Sequence, residues 1–134
     1  MAHPSPKNLA LWFAVWAASG AFAAPIAAQG VEVRSGAVVL YGSTSNCTAP
    51  STIDYDRVKK ATPEWKTIKS EGVTKGSARF ELLVSEMNQR IKRLAQQVAQ
   101  SSGRDCVVRK GDIGDAKGME VTDLTDDVIG KIDS

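Results

Sequence analysis

The feature that most constrains this chain is a seam of apolar residues spaced alternately four and three positions apart. The seam consists of Phe80, Val84, Met87, Ile91, Leu94 and Val98. Such a repeat places its members on one stripe of an α-helix and is typical of coiled coils. We expect this helix to run from Ala78 to Ser102 and to be followed by a glycine C-cap, Gly103. The stripe has three candidate partners, namely the domain's own sheet, another helix of the same chain, or another subunit.

A second helix is predicted to begin at Thr62 or slightly earlier. Thr62 can cap it, Pro63 suits its first position, and Glu64 suits the positive end of the helix dipole. Gly72 and Gly76 then provide the flexible residues of a turn. The segment from 62 to 71, which carries Trp65 and Ile68, is therefore one candidate partner for the seam, in a short helical hairpin or coiled-coil arm.

Basic residues lie next to the seam and form a candidate rim for an acidic partner or an anionic lipid. They are Arg90, Lys92 and Arg93. A solvated helix face is the commoner explanation for such residues, so both interpretations stay open at this point.

Short strands are predicted on both sides of the two helices. Val31 to Tyr41 reads as a strand with an irregularity at Gly36, and Thr52 to Asp56 alternates like a second short strand. Asp105 to Arg109 is a third, and Met119 to Val121 is a candidate edge. The chain therefore combines strands with helices that are not regularly interleaved, which indicates the α+β class with a small β body.

The end of the chain predicts a turn followed by a final helix. The stretch from Gly111 to Gly118 is rich in glycine but lacks the spacing of a phosphate-binding or dinucleotide-binding loop, so we expect a turn. A C-terminal helix should follow, capped by Asp123 or Thr125.

The N-terminus has the pattern of a cleavable secretory signal peptide. Lys7 precedes an uncharged apolar run from Leu9 to Phe22, and small residues then suit cleavage after Ala28, or alternatively before Ala24. We expect a signal peptide over residues 1–28 and a single domain over 29–134. The run is too interrupted for a stable membrane anchor. The protein should be exported to the periplasm or secreted.

Export changes both the charge and the cysteine chemistry that we expect. Loss of Lys7 leaves 16 of the 17 lysines and arginines against 15 acidic residues, a net charge of +1, which argues against a nucleic-acid binder. Cys47 and Cys106 are the only cysteines, and in an oxidising compartment they should form a disulfide.

The residues that most enzymes use are missing from the predicted mature chain. The single histidine, His3, lies in the signal peptide, so histidine-dependent nucleophile systems are excluded. The cysteines and carboxylates lack the spacing of a zinc site. Acidic residues near Asp123 are better explained as helix-terminal residues than as a calcium site. We expect no catalytic residues, no metal and no cofactor.

Three short stretches resemble the Skp/OmpH family of periplasmic chaperones. Ile53 to Val58, followed by Thr62 to Glu64, resembles the family's opening strand and the start of its first arm helix. Asp105 to Ile113 resembles the strand after the returning arm helix, and Glu120 to Ile129 resembles the closing strand and helix.

The resemblance implies a homotrimer with a small β body and helical arms that enclose unfolded outer-membrane proteins. The segment between Pro63 and Gly103 is much shorter than typical arms, and a hairpin there would reach only about 20 to 35 Å at 1.5 Å per residue. The first functional hypothesis is thus a short-armed holdase or envelope-assembly factor that uses the seam and its basic rim. The second is a disulfide-stapled binding or structural domain without chaperone activity, which can be a monomer.

Overall fold

The structure, a computed structural model, describes residues 30–134. The predicted signal peptide lies outside the described residues. Residues 30–134 fold as α+β, as predicted. None of the helices in this part of the chain is long and apolar enough to cross a bilayer. The elements in chain order are β1 (Glu32–Val33), β2 (Val39–Gly42), a 3₁₀ turn (Thr44–Asn46), β3 (Pro50–Ile53), α1 (Tyr55–Ala61), α2 (Pro63–Glu71), α3 (Ala78–Ser101), β4 (Cys106–Arg109), β5 (Ile113–Asp115), β6 (Thr122–Asp123) and α4 (Thr125–Asp133).

The main sheet has four strands in the order β2-β4-β3-β6. Strand β4 pairs antiparallel with β2 and parallel with β3, and β3 also pairs parallel with β6. Because β3 and β4 are parallel neighbours, their connection must return to the same end of the sheet. The three helices α1, α2 and α3 make that connection.

The prediction of one strand from Val31 to Tyr41 is wrong, because the segment divides into β1 and β2. Gly36 has φ +79°, and the Ala37 N–H donates to the Arg34 carbonyl, so the chain turns between the two strands. Strand β1 then pairs with β5 in a separate antiparallel sheet, within a stretch that we predicted to be only a turn. The last strand begins at Thr122, after the predicted edge at Met119 to Val121.

The predicted strand from Thr52 to Asp56 also ends earlier than expected. Strand β3 stops at Ile53, and the Asp54 carboxylate accepts a hydrogen bond from the Arg57 N–H, so Tyr55 already belongs to α1. The start of α2 at Pro63 is confirmed, with Thr62 Oγ1 accepting from the Trp65 N–H at 3.2 Å. Side-chain caps thus set where both helices begin.

Helix α3 follows the predicted bounds to within one residue and covers one face of the main sheet. Its N-cap is Ser77, whose hydroxyl accepts from the Phe80 N–H. The helix contacts β2, β4, α2 and α4. The core between these elements contains Leu40, Ile53, Val58, Met87, Ile91, Leu94, Ala95, Val98, Ala99, Val107, Leu124 and Val128.

The C-terminal helix is held to the sheet by its first turn. The Asp123 carboxylate accepts from both the N–H and the hydroxyl of Thr125, while the Thr125 hydroxyl itself accepts from the Asp54 N–H. The N-cap residue is Leu124, whose side chain makes no capping hydrogen bond, so the prediction of Asp123 or Thr125 as the cap is wrong. Asp123 instead binds the first helical residue from just before the cap, and Thr125 links α4 to the start of α1.

The predicted disulfide between Cys47 and Cys106 is confirmed. It joins the loop after β2 to the first residue of β4, and both sulfurs are buried in a small second cluster with Val31, Ile113 and Met119 around it. The bond therefore lies at the end of the sheet where α3 returns to β4, beside the start of β3.

Candidate binding groove

An open groove of about 640 Å³ lies between α1, α2 and the N-terminal half of α3. Its apolar lining consists of Trp65, Ile68, Val73, Phe80, Val84 and Met87. Ile68 and Met87 are buried at its base, whereas Trp65, Phe80 and Val84 are only partly buried. Volumes of this size are typical of ligand sites.

The walls of the groove follow from the spacing of apolar residues on two helices. Trp65 and Ile68 are three positions apart on α2, and Phe80, Val84 and Met87 are the first three members of the seam on α3. Gly72 takes the left-handed conformation at the end of α2, with φ +61°, and lets the chain turn toward α3. The groove remains open because α2 covers only part of this apolar stripe.

The structure divides the seam between two environments. Met87, Ile91, Leu94 and Val98 are buried in the core of the same chain. Phe80 and Val84 are only partly buried and line the groove beside α2, where the buried Met87 also contributes to the lining. Of the six seam residues, these two are the ones whose side chains are not fully buried.

Arg90, from the predicted basic rim, is engaged in an ion pair within the chain. Its Nε and Nη2 donate to Oε1 and Oε2 of Glu64 at 2.9 and 2.8 Å, which ties α3 to α2. The hydrogen bond from Arg90 lowers the pKa of Glu64 despite the opposing effect of burial. Lys92 and Arg93 are exposed on the helix surface.

A different set of basic residues borders the groove, namely Lys59, Lys69 and Lys75. The ammonium groups of Lys59 and Lys69 lie 4.5 and 5.1 Å from the centre of the Trp65 ring. The sequence interpretation missed these lysines. The spacing of Trp65 and Lys69, four positions apart on one helix, was the available signal.

One group of potential metal ligands occurs in residues 30–134, at Cys47, Asp105 and Cys106. Both sulfurs belong to the disulfide, so they are not thiolate ligands in this state. Burial would raise the pKa of Asp105, but hydrogen bonds from Thr48 and Ala49 outweigh it and lower the pKa. The carboxylate thus serves to hold the loop beside the disulfide.

Comparison of the chain with protein-family models, with curated proteins and with solved structures gave no match.

Proposed function

We propose that this protein is an exported holdase-type chaperone or envelope-assembly factor that binds apolar segments of unfolded outer-membrane proteins in the groove between α2 and α3. The observation that carries the proposal is the partly exposed apolar surface of Trp65, Phe80 and Val84 in an open groove. Contact of such apolar surface with water is unfavourable in free energy, and exposed apolar patches are typical of interaction sites.

The order of the elements supports a short-armed relationship to the Skp/OmpH family. A strand, β3, leads into the helices, a returning helix leads into β4, and the closing strand β6 leads into α4. In this proposal α2 and the N-terminal half of α3 correspond to the arm. Helix α2 has nine residues and is therefore about 13 Å long, so the arm is too short to form a deep cage by itself.

The disulfide is compatible with the proposed location outside the cytoplasm. Disulfides persist in oxidising compartments such as the periplasm and are rare in the cytosol. The Cys47–Cys106 bond therefore supports export to the periplasm or secretion.

The test is whether the protein suppresses aggregation of an outer-membrane protein that is diluted out of urea, followed by light scattering. The wild type should suppress it, and Phe80→Asp should lose most of that effect because the substitution places a charge in the groove. Leu82→Asp is the matched control, since Leu82 lies two positions away on α3, is 59% exposed and does not line the groove. Circular dichroism should show that both variants remain folded.

Two outcomes contradict the proposal. A wild type that fails to suppress aggregation at any ratio excludes the holdase function. Equal protection by the wild type and Phe80→Asp excludes the groove as its site.

A second candidate function, a monomeric stapled binding domain, is favoured by the burial of Met87, Ile91, Leu94 and Val98 in the chain's own core. A seam that is covered within one chain does not need another subunit to keep it from water. Light scattering coupled to size-exclusion chromatography separates the two candidates. A trimer supports the Skp/OmpH-like proposal, and a monomer without holdase activity supports the stapled domain.

A further inference from the structure

The charged residues that line the groove are all of one sign. Three lysines line it, and no aspartate or glutamate of residues 30–134 is part of its lining. Over the whole chain the charges nearly balance, with 17 lysines and arginines against 15 acidic residues. The groove therefore carries a local positive charge that the composition of the chain does not reveal.

Two of these charges are held beside the aromatic wall. Lys59 and Lys69 are both within cation–π distance of the Trp65 ring. An aromatic face attracts an ammonium group but does not neutralise it. The nearest carboxylate to Lys59 is that of Asp56 at 3.6 Å, and its side chain is 77% exposed, so this ion pair is weak.

Building on the proposed function, we propose that the groove selects acidic amphipathic protein segments, in which one or two large apolar side chains are flanked by aspartate or glutamate. The apolar side chains pack between Trp65 and Phe80, and the flanking carboxylates reach the three lysines. The length of α2, about 13 Å, matches about four residues of an extended segment at 3.3 Å per residue.

The apolar walls favour a protein segment over a nucleic acid or a lipid headgroup. A lipid headgroup would gain the lysine contacts but would leave Trp65, Phe80 and Val84 without apolar partners. A nucleic acid could stack bases on the two aromatic rings, but the nearly balanced charge of the chain argues against it. A segment that is apolar throughout would fill the groove but would bring no carboxylate to its lysines. An acidic amphipathic segment meets both requirements at once.

The test uses three eight-residue peptides that share a central Leu-Phe pair and differ only in their flanking residues, which are Glu, Gln or Lys. The full chain carries Trp12→Phe and Trp16→Phe, so that Trp65 is its only tryptophan and its fluorescence reports on the groove. The Glu peptide should bind about tenfold more tightly than the Gln peptide at low salt, and the Lys peptide should bind most weakly. In about 1 M salt the difference between the Glu and Gln peptides should largely disappear.

Charge reversal in the groove provides the second arm of the test. Lys69→Glu with Lys75→Glu should reverse the order, so that the Lys peptide binds more tightly than the Glu peptide. Lys60→Glu with Lys66→Glu is the matched control, because it makes the same change in net charge at exposed positions of α1 and α2 outside the groove lining. This control should keep the order of the wild type.

The outcomes separate this inference from the proposed function. Equal binding of the Glu and Gln peptides, with loss of both in Phe80→Asp, overturns the acidic preference and leaves the binding function in place. If the Lys69→Glu, Lys75→Glu variant still prefers the Glu peptide, the lysines of the groove are not the cause of the preference. Binding of an oligonucleotide or of anionic vesicles more tightly than the Glu peptide also overturns the inference. Absence of binding by all three peptides overturns both proposals.

Discussion

Glu64 on α2 and Arg90 on α3 form a two-pronged ion pair across the helix interface. The guanidinium donates from Nε and Nη2 to the two carboxylate oxygens at 2.9 and 2.8 Å. The Glu64 side chain is only 7% exposed, whereas that of Arg90 is 35% exposed. A mostly buried carboxylate is thus stabilised by a cation that still contacts water, and the pair joins α2 to α3 beside the groove.

The first prediction is that this pair makes the protein sensitive to acid. The pKa of Glu64 is lowered in the folded state, chiefly by its hydrogen bond with Arg90. Its contribution to stability is therefore present above the unfolded pKa, about 4.3, and is lost as the pH falls through the lower folded value. Glu64→Gln should reduce the free energy of unfolding by about 1 to 3 kcal/mol at neutral pH, and the deficit should shrink on acidification.

Urea unfolding at a series of pH values measures this effect. Glu71→Gln is the control, because the pair between Glu71 and Arg79 is exposed on both sides and should contribute less than about 1 kcal/mol. Wild-type and Glu64→Gln curves that stay parallel from neutral pH to below the unfolded pKa would contradict the prediction.

The second prediction concerns the disulfide. Cys47 and Cys106 are 59 positions apart, and closing a loop of that length restricts the unfolded chain by about 4 kcal/mol. Replacing both cysteines with alanine should therefore lower the free energy of unfolding by about 2 to 4 kcal/mol. A reducing agent should destabilise the wild type and leave the double variant unchanged. Reductant effects of the same size in both proteins would show that the bond is not their cause.

The third prediction is that the buried half of the seam is essential to the fold. Ile91 is fully buried and Leu94 nearly so, and an aspartate at either position would have no partner for its charge in the core. Ile91→Asp with Leu94→Asp should abolish cooperative unfolding in circular dichroism. Lys92→Asp, at an exposed position between them, should stay folded. A folded double variant would mean that α3 does not pack on the sheet through this stripe.

The fourth prediction separates backbone strain from steric overlap at two glycines with the same φ of +79°. A Cβ atom on Gly42 would lie 2.1 Å from the Asp105 carbonyl oxygen, whereas one on Gly36 would meet nothing within 4 Å. Gly36→Ala should cost about 1 to 2 kcal/mol from the left-handed backbone alone. Gly42→Ala should cost clearly more, because β2 must also move away from the start of β4. Equal losses in thermal or urea unfolding would contradict the close approach.

Local patterns were sufficient where the determining residues lie within one element. The bounds of α3 follow from the spacing of its seam, from Ser77 at its start and from Gly103 after its end. The start of α2 follows from Thr62 and Pro63 in the same way. A helix cap and an apolar stripe are determined by residues within one or two helical turns of each other, so both can be predicted from the sequence alone.

The partners of these elements required the tertiary structure, because they lie far apart along the chain. The seam alone left open whether it packs on a sheet, on a second helix or on another subunit, and the structure places Met87 to Val98 in the core and Phe80 with Val84 beside α2. Arg90 sits in a row of basic residues, and only its position opposite Glu64 makes it part of an ion pair.

The sequence by itself therefore determined the α+β class, the extent of α3, the start of α2 and the pairing of the only two cysteines, but it did not predict α1 as a separate helix. Tertiary structure decided the division of the Val31 to Tyr41 segment between two sheets and the collection of Lys59, Lys69 and Lys75 around one groove. The physical reason is the range of the interactions. Helix capping and apolar periodicity are local, whereas strand pairing and a charged groove arise only when distant segments are packed against each other.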